Sequence, residues 1–488
     1  MKNKLRRKLN PINIWAIAFG CIIGWGSFIN PGKKFLPNSG VAGTAIAMVL
    51  GALVMIVISF CYAYMVPKYP KAGGEFTFTK ECFGRASAYI CGWFLVAAYL
   101  TNVPMNSTAL GIIVNGLDGG ANILQFGFSY SVAGFEICFG EILFAMSILL
   151  LFAYFNLIGV KKAAFVQTVL AFLLVGSVLT LTACAIFSPA VEWTNAFPLW
   201  GFSKASAVSA VKSGAYNGIA PFAHRGTSGI LSAVLATFAI APWAFVGFDT
   251  IPQSAEEFKF SPTKVRVIMI VAILFGCFVY VANNTITALA LNNWPDLLVK
   301  AKSTPWLLLL SAEKLLGLWG KVLIGIAVFS AVLSGIMGFY LAASRLMYSM
   351  ARDGYLPEIF GRLDNRHGVP RNALLFCLAV SLCGPILGRE ALGWFVDMSA
   401  IGASIGYGFT CLATLVTMKR DGDGTMFLRA MALLGTLFSV VFVLLQLVPI
   451  KGLPNVHFCN ESYMMLLVWI AIGFVFYLIN WRQQGRNL

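Results

Sequence analysis

The sequence predicts an all-α membrane protein of twelve transmembrane helices, and three observations carry that prediction. Of 488 residues, 59% are hydrophobic and only 11% are charged, with a mean hydropathy of +0.81. A soluble domain carries about 25% charged residues, so a water-soluble globule is excluded. Apolar windows near the length of about 20 residues that spans a bilayer recur twelve times along the chain. Two of those windows are interrupted by helix-breaking residues at membrane depth, which is costly unless the freed backbone lines a protected cavity.

In order, the windows are 12–35, 41–66, 86–115, 137–157, 163–188, 230–255, 267–292, 321–350, 373–389, 391–418, 427–450 and 462–481. An even number returns both termini to one side. Placing the N-terminus inside puts 24 of the 35 Lys and Arg residues on inner connections, and the long outer connections 116–136 and 189–228 are poor in charge. Short basic loops mark the cytoplasmic face, so both termini are expected there, as in a plasma-membrane protein or an inner-membrane protein of a bacterium. The net charge of +16 then reports topology and not a nucleic-acid partner. Met1–Leu9 carries Lys2, Lys4, Arg6, Arg7 and Lys8 before a run too long for a signal peptide, which makes residues 1–11 a cytoplasmic tail.

Eleven cysteines and three histidines give no metal or disulfide framework. Most cysteines lie inside apolar runs, no CxxC pair occurs, and His224, His367 and His457 all fall in connections. No cofactor and no metal are expected.

The interruptions fall at windows one and six. Ile22-Ile23-Gly24-Trp25-Gly26-Ser27-Phe28 breaks the first, and Ala241-Pro242-Trp243-Ala244-Phe245-Val246-Gly247-Phe248-Asp249 breaks the sixth. Counting five windows from each gives two repeats, about 12–188 and 230–418. Five is odd, so the second repeat enters the membrane from the opposite side. Matched breaks in two inverted halves point to a transporter's binding site. The transporter core is then 12–418, with two additional helices at 427–481 and a second cytoplasmic tail at 482–488.

The break chemistry suits a zwitterion. Unwinding at Gly24, Gly26 and Ser27 presents free N–H groups and a positive helix end to a carboxylate. Pro242 and Gly247 flank Trp243-Ala244-Phe245-Val246, whose freed carbonyls can accept from an ammonium group. Trp243 can cap the substrate as a gate and offer it a π-face. Close packing between helices is the alternative use for such glycines.

Acids inside apolar runs are functional hypotheses by default. Asp249 and Asp397 stand out, with Glu141 near the outer end of the fourth window. Glu256, Glu257, Lys259 and Arg266 suggest a cytoplasmic ion-pair cluster, and Arg345, Arg352 and Asp353 an inner anchor.

At these residues the chain resembles the amino acid–polyamine–organocation transporter superfamily over about residues 12–418. The first break is similar to that family's G-x-I-I-G-x-G-x-F run at Gly20–Phe28. Pro70-Lys71-Ala72-Gly73-Gly74-Glu75-Phe76 is similar to its P-x-x-G-G-x-[YF] element. Phe245-Val246-Gly247-Phe248-Asp249 is followed by Glu256-Glu257-x-Lys259-x-x-Pro262. Arg345-Leu346-Met347-Tyr348-Ser349-Met350-Ala351-Arg352-Asp353-Gly354-Tyr355-Leu356-Pro357 is the most specific match.

The resemblance implies a LeuT-like 5+5 inverted repeat with broken helices 1 and 6, working by alternating access. Carried over by position, the substrate carboxylate meets amides near Trp25, Gly26 and Ser27, and the ammonium meets carbonyls of Ile22, Trp243, Ala244 and Val246. Trp243 matches the family's outer gate. Three departures bear on function: Trp25 replaces a small residue, Tyr64 replaces a glutamate, and Leu174 replaces a lysine thought to stand in for sodium. The coupling ion is therefore open between Na+ near Ser330 and Ser334 and H+ through Asp249 or Asp397, with simple exchange as a third mode.

The functional expectation is a secondary active transporter, a symporter or exchanger, moving an amino acid, with no enzymatic chemistry. A carrier of a small amine or polyamine, or a non-transporting amino acid sensor on the same fold, is the alternative. An accessory chain attached at an outer cysteine such as Cys459 is left open.

Overall fold

The computed structural model describes residues 5, 7–132, 135–301, 306–449 and 457–485. Of the two expected tails, residues 1–4, 6 and 486–488 lie outside the described residues. Among those described, the helices run α1 Pro11–Ile22, α2 Gly26–Asn30, α3 Leu36–Lys68, α4 Gly74–Phe83, α5 Arg85–Leu117, α6 Phe139–Leu157 and α7 Val160–Phe187. They continue as α8 Lys204–Lys212, α9 Gly226–Phe238, α10 Ala241–Phe245, α11 Val265–Leu289, α12 Trp294–Lys300, α13 Leu307–Leu316 and α14 Leu318–Arg352. The last are α15 Arg371–Leu382, α16 Gly384–Leu387, α17 Ala391–Asp421, α18 Met426–Leu447 and α19 Asn460–Gly485. A small hairpin, Ser129–Val132 with Phe135–Cys138, precedes α6.

The protein is an all-α membrane protein. Among the described residues nine helical segments are long and apolar enough to cross a membrane. Three shorter apolar helices, Pro11–Ile22, Gly226–Phe238 and Arg371–Leu387, fall in expected windows one, six and nine. The first is short because the backbone leaves the helix at Ile23, and the second because it ends at Phe238, before the Ala239–Ile240 turn that separates it from α10. The third is interrupted at Cys383, next to the Gly384-Pro385 step, where proline removes a donor. Windows one and two are less separate than expected, because α2 runs through a π-helical turn, Pro31–Phe35, into α3. The turn comes at Gly40, whose φ of 65° favours glycine, and the Leu199 carbonyl packs where a Cβ would stand.

Burial is sorted as lipid demands. On α7, α18 and α19 the exposed side chains are Phe165, Phe172, Leu433, Leu437, Phe474 and others of that kind. By contrast α5, the most enclosed of the long helices, buries Thr101, Asn102, Asn106 and Ser107. Helix α5 packs against α14 and α17, and α3 against α9 and α11. At the end of the bundle that holds the N-terminus, the chain is pinned by main-chain bonds. The Lys8 amide donates to the Glu257 carbonyl at 2.8 Å, and the Lys259 amide to the Leu9 carbonyl at 2.9 Å.

Candidate functional site

Helix α1 ends at Ile22 and α2 begins at Gly26, so Ile23–Trp25 carry the first break. Among the described residues the amides of Gly24, Trp25 and Gly26 donate no hydrogen bond. Ser27, expected to join them, instead closes a turn: its amide donates to the Gly24 carbonyl at 3.3 Å and its hydroxyl to the same atom at 3.0 Å. Three successive amides at a helix start form a concavity suited to an anion.

The second break has two parts, the first at Ala239–Ile240, where α9 gives way to α10. Ala241–Phe245 is a single separate turn of helix, and the backbone leaves the helix again at Val246–Gly247. From Phe248 to Glu257 the chain proceeds in 3-10 turns and does not regain the α-helix. Gly247, at φ 144°, is the residue that permits this exit. Its amide is taken by Asp249 Oδ1 at 2.7 Å and its carbonyl by the Thr250 hydroxyl at 2.6 Å. The Trp243 carbonyl accepts from the Val246 amide, whereas those of Ala244 and Val246 accept no hydrogen bond among the described residues.

The two breaks touch. A Cβ on Gly247 would stand 2.5 Å from the Ile22 amide nitrogen. Asn283 Nδ2 donates to the Ser27 carbonyl at 3.0 Å, and the Tyr280 hydroxyl reaches the Ile22 carbonyl at 3.5 Å, so α11 braces the first break. The Trp243 ring lies directly over the Cα of Gly26. Trp25 meets it with ring centroids 6.0 Å apart, and both indoles are buried. The Trp25 side chain therefore does not fill the space between the two glycines. It lines, with Trp243, a recess of about 240 Å³ that also includes Asn30, Lys33, Lys34 and Arg389.

The other singled-out residues separate into two places. Ser334 donates to the Gly20 carbonyl at 3.2 Å, one turn before the first break, and buried Ser330 lies one turn back on the same helix. Asp249 Oδ2 accepts from the Tyr99 hydroxyl at 3.0 Å. Asp397 accepts from Ser462 of α19 at 2.6 Å, so it belongs to a different neighbourhood. Glu141 pairs with Arg389 at 2.6 Å. Leu174 is buried on α7, whose polar contribution near the first break is Gln167, donating to the Ala16 carbonyl at 3.1 Å.

The expected ion-pair groups are rearranged. Glu257 pairs with Arg345 at 3.1 Å, with both side chains at most 2% exposed, and Glu256 pairs with Arg352 at 2.8 Å. Lys259 and Arg266 enter none of the ion pairs among the described residues. Residues 252–257 turn their acids toward the end of α14, while Lys259 runs beside the N-terminal segment. The inner anchor and the acidic cluster are thus one structure.

Several polar residues escape a reading that follows breaks and charges. Asn106 on α5 has a buried Oδ1 with no partner among the described residues, 3.2 Å from where a Cβ on Gly24 would sit. Asn283 on α11 and Glu75 on α4 are also fully buried beside the breaks or their supports. Asparagines inside apolar runs were the available signal, since polar groups in spans mark function.

A polytopic helical membrane protein with two touching helix breaks and a ring of buried polar groups is the class these observations define. The amino acid permease family model matches residues 9–479. The chain belongs to that family. It is 23% identical to the branched-chain amino acid permease BcaP of Bacillus subtilis (strain 168), covering 99% of this chain and 95% of that protein. It is 25% identical to the vacuolar cationic amino acid transporter 2 of Arabidopsis thaliana, over 86% of this chain and 60% of that one. With the large neutral amino acids transporter small subunit 2 of Oryctolagus cuniculus it shares 26% identity over 78% of this chain and 64% of that one. The chain thus spans about three fifths of the length of the plant cationic transporters it matches.

Proposed function

We propose that the chain is a secondary active transporter, symporter or exchanger, that carries an α-amino acid across the membrane by alternating access. One observation carries the reading: three free amides at Gly24–Gly26 and the free carbonyls of Ala244 and Val246 belong to two breaks that touch at Ile22 and Gly247. The first set suits a carboxylate and the second an ammonium, with no charged side chain needed at either. Asn106 Oδ1, unpartnered beside Gly24, offers a further acceptor. Trp243, laid over Gly26 and tilted against Trp25, is the gate between this site and the recess lined by Lys33 and Lys34.

Twelve spans in two inverted five-helix repeats, 12–188 and 230–418, account for the matched breaks, with α18 and α19 outside the repeat. The charge asymmetry favours cytoplasmic termini, which puts the Arg345–Glu257 pair at the inner end and the Trp25–Trp243 pair at the outer end. The relatives described above, each an amino acid carrier by name, support the substrate class. A thermal-shift screen of the twenty amino acids and their amines on purified protein, followed by counterflow of the best stabiliser in proteoliposomes, tests the reading. Stabilisation and counterflow by at least one amino acid are expected; binding without counterflow supports a sensor, and a response to amines alone a polyamine carrier.

A further inference from the structure

We propose that Glu75 and Asp249 together form one proton-binding site, loaded once per transport cycle and tied through Tyr99 to the unwound segment 246–257. The inference rests on the transport reading above and adds its coupling ion and a residue, Glu75, that the substrate contacts do not involve.

Glu75 sits in the first turn of α4 and is fully buried. Its Oε1 accepts from the Tyr62 hydroxyl at 2.7 Å and faces the Tyr99 hydroxyl at 3.4 Å, and its Oε2 accepts from Gln253 Nε2 at 2.6 Å. The same Tyr99 hydroxyl is 3.0 Å from Asp249 Oδ2 and 3.2 Å from the Asp249 carbonyl. One phenol thus bridges two carboxylates from different elements. It has a single hydrogen to offer three acceptors.

Among the described residues, no Lys, Arg or His nitrogen lies within 4.0 Å of either carboxylate. Two buried carboxylates without a cation cannot both stay ionised at modest cost, and a proton shared between them resolves the conflict. The remaining titratable neighbours are neutral in kind: Tyr62 from α3, Cys91 from α5, Tyr407 from α17 and Cys21 from α1. On α14 the nearest buried cation, Arg345, is engaged by Glu257.

A second, independent observation points to something mobile in this cluster. Tyr407 is fully buried and stacks on Phe248 at 5.4 Å, next to Asp249, yet its hydroxyl has no partner among the described residues. Gln253 Oε1 is likewise buried and unpartnered. An O–H on Glu75 Oε2 supplies what that amide lacks, because Gln253 can turn over and accept from the acid. The Tyr407 hydroxyl can hold the water that delivers the proton.

The cycle needs only an O–H bond formed and later broken. A proton from water on one face adds to a carboxylate oxygen of the pair. While it is shared, Asp249 keeps Gly247 capped and the segment stays against α4 and α5. When the segment withdraws, each carboxylate meets water and the proton leaves on the other face.

The test uses proteoliposomes of the full chain in sodium-free buffer, with tritiated leucine and an internal pH dye, the leucine replaced by the best stabiliser of the screen. Wild type is expected to show counterflow and substrate-linked proton movement. With one proton per substrate, a gradient of one pH unit supports up to about tenfold accumulation. Glu75→Gln is expected to keep counterflow and to accumulate nothing beyond equilibrium, with Glu75→Asp restoring part of the accumulation. Tyr99→Phe, which leaves both carboxylates in place, gives the same answer should E75Q not insert. Wild-type transport without proton movement, a strict sodium requirement, or an E75Q or Y99F variant with full proton-driven accumulation overturns the proposal. Absence of counterflow in wild type with every amino acid overturns instead the transport reading beneath it.

Discussion

Gly247 and Ile22 are the points at which the two broken helices meet: the Gly247 Cα faces the Ile22 amide so closely that a Cβ would stand 2.5 Å from its nitrogen. Gly247 also holds a φ of 144°, outside the conformations an L side chain favours. Both constraints fall on the same residue, so Gly247→Val is expected to abolish substrate uptake while the protein still inserts. Membrane-fraction yield and counterflow check this; uptake within about threefold of wild type would contradict it, a loss under about 0.7 kcal/mol in transition-state terms.

Gly26 and Trp243 give a second, separable test. Any side chain at 26 displaces the indole above it. Gly26→Val is expected to lose substrate binding, while Trp243→Ala is expected to bind more weakly and to leak. The two readouts are substrate-dependent thermal shift and passive efflux of loaded substrate. Unchanged efflux from Trp243→Ala counts against the gate.

The Arg345–Glu257 pair is enclosed by protein at one end of the bundle. Removing one partner leaves a buried charge, which costs about 3–5 kcal/mol. Glu257→Leu is therefore expected to lower the thermal midpoint markedly, and Arg345→Met with Glu257→Leu to recover much of the loss. Equal midpoints for the single variant and wild type would show that the pair is not what holds α14 against the unwound segment.

Asp296, on α12 outside the membrane-spanning helices, links α12 to the connection that carries Tyr216. Burial raises its carboxyl, but hydrogen bonds from Lys300 and Tyr216 outweigh that and hold it below the ordinary aspartate value. A depressed folded value means stability that is present above the unfolded pKa of about 3.9 and lost as pH falls through the folded value. Wild type should lose thermal stability on acidification below about pH 4, and Asp296→Asn should lose less over the same range. Parallel pH profiles for the two proteins would contradict this.

Much of the membrane architecture was legible because it depends on composition and local backbone chemistry. The length of apolar runs, the Gly24-Trp25-Gly26 step and the Val246-Gly247 step each act within a few residues of themselves. What the sequence did not disclose is partnership across distance. Sequence proximity groups Glu256 and Glu257 with Lys259 and Arg266, but their partners come from α14, about ninety residues on. Glu75 lay inside the Pro70–Phe76 motif with nothing to show that it faces Asp249. Trp25 stands between two glycines in place of a small residue, and only the fold turns its ring toward Trp243. Facing is a property of the packed bundle, and an apolar helix in lipid leaves little periodicity from which to read it.

The central claim is that the first break holds a carboxylate and the second an ammonium group. The most direct measurement compares one amino acid with its decarboxylated amine and its deaminated acid, by thermal shift on the purified protein. For leucine, if it is the best stabiliser, these are isoamylamine and 4-methylpentanoate. A shift is expected with the amino acid and essentially none with either fragment at the same concentration. A shift with one fragment as large as with the whole molecule would contradict it, because one of the two breaks would then contribute nothing to recognition.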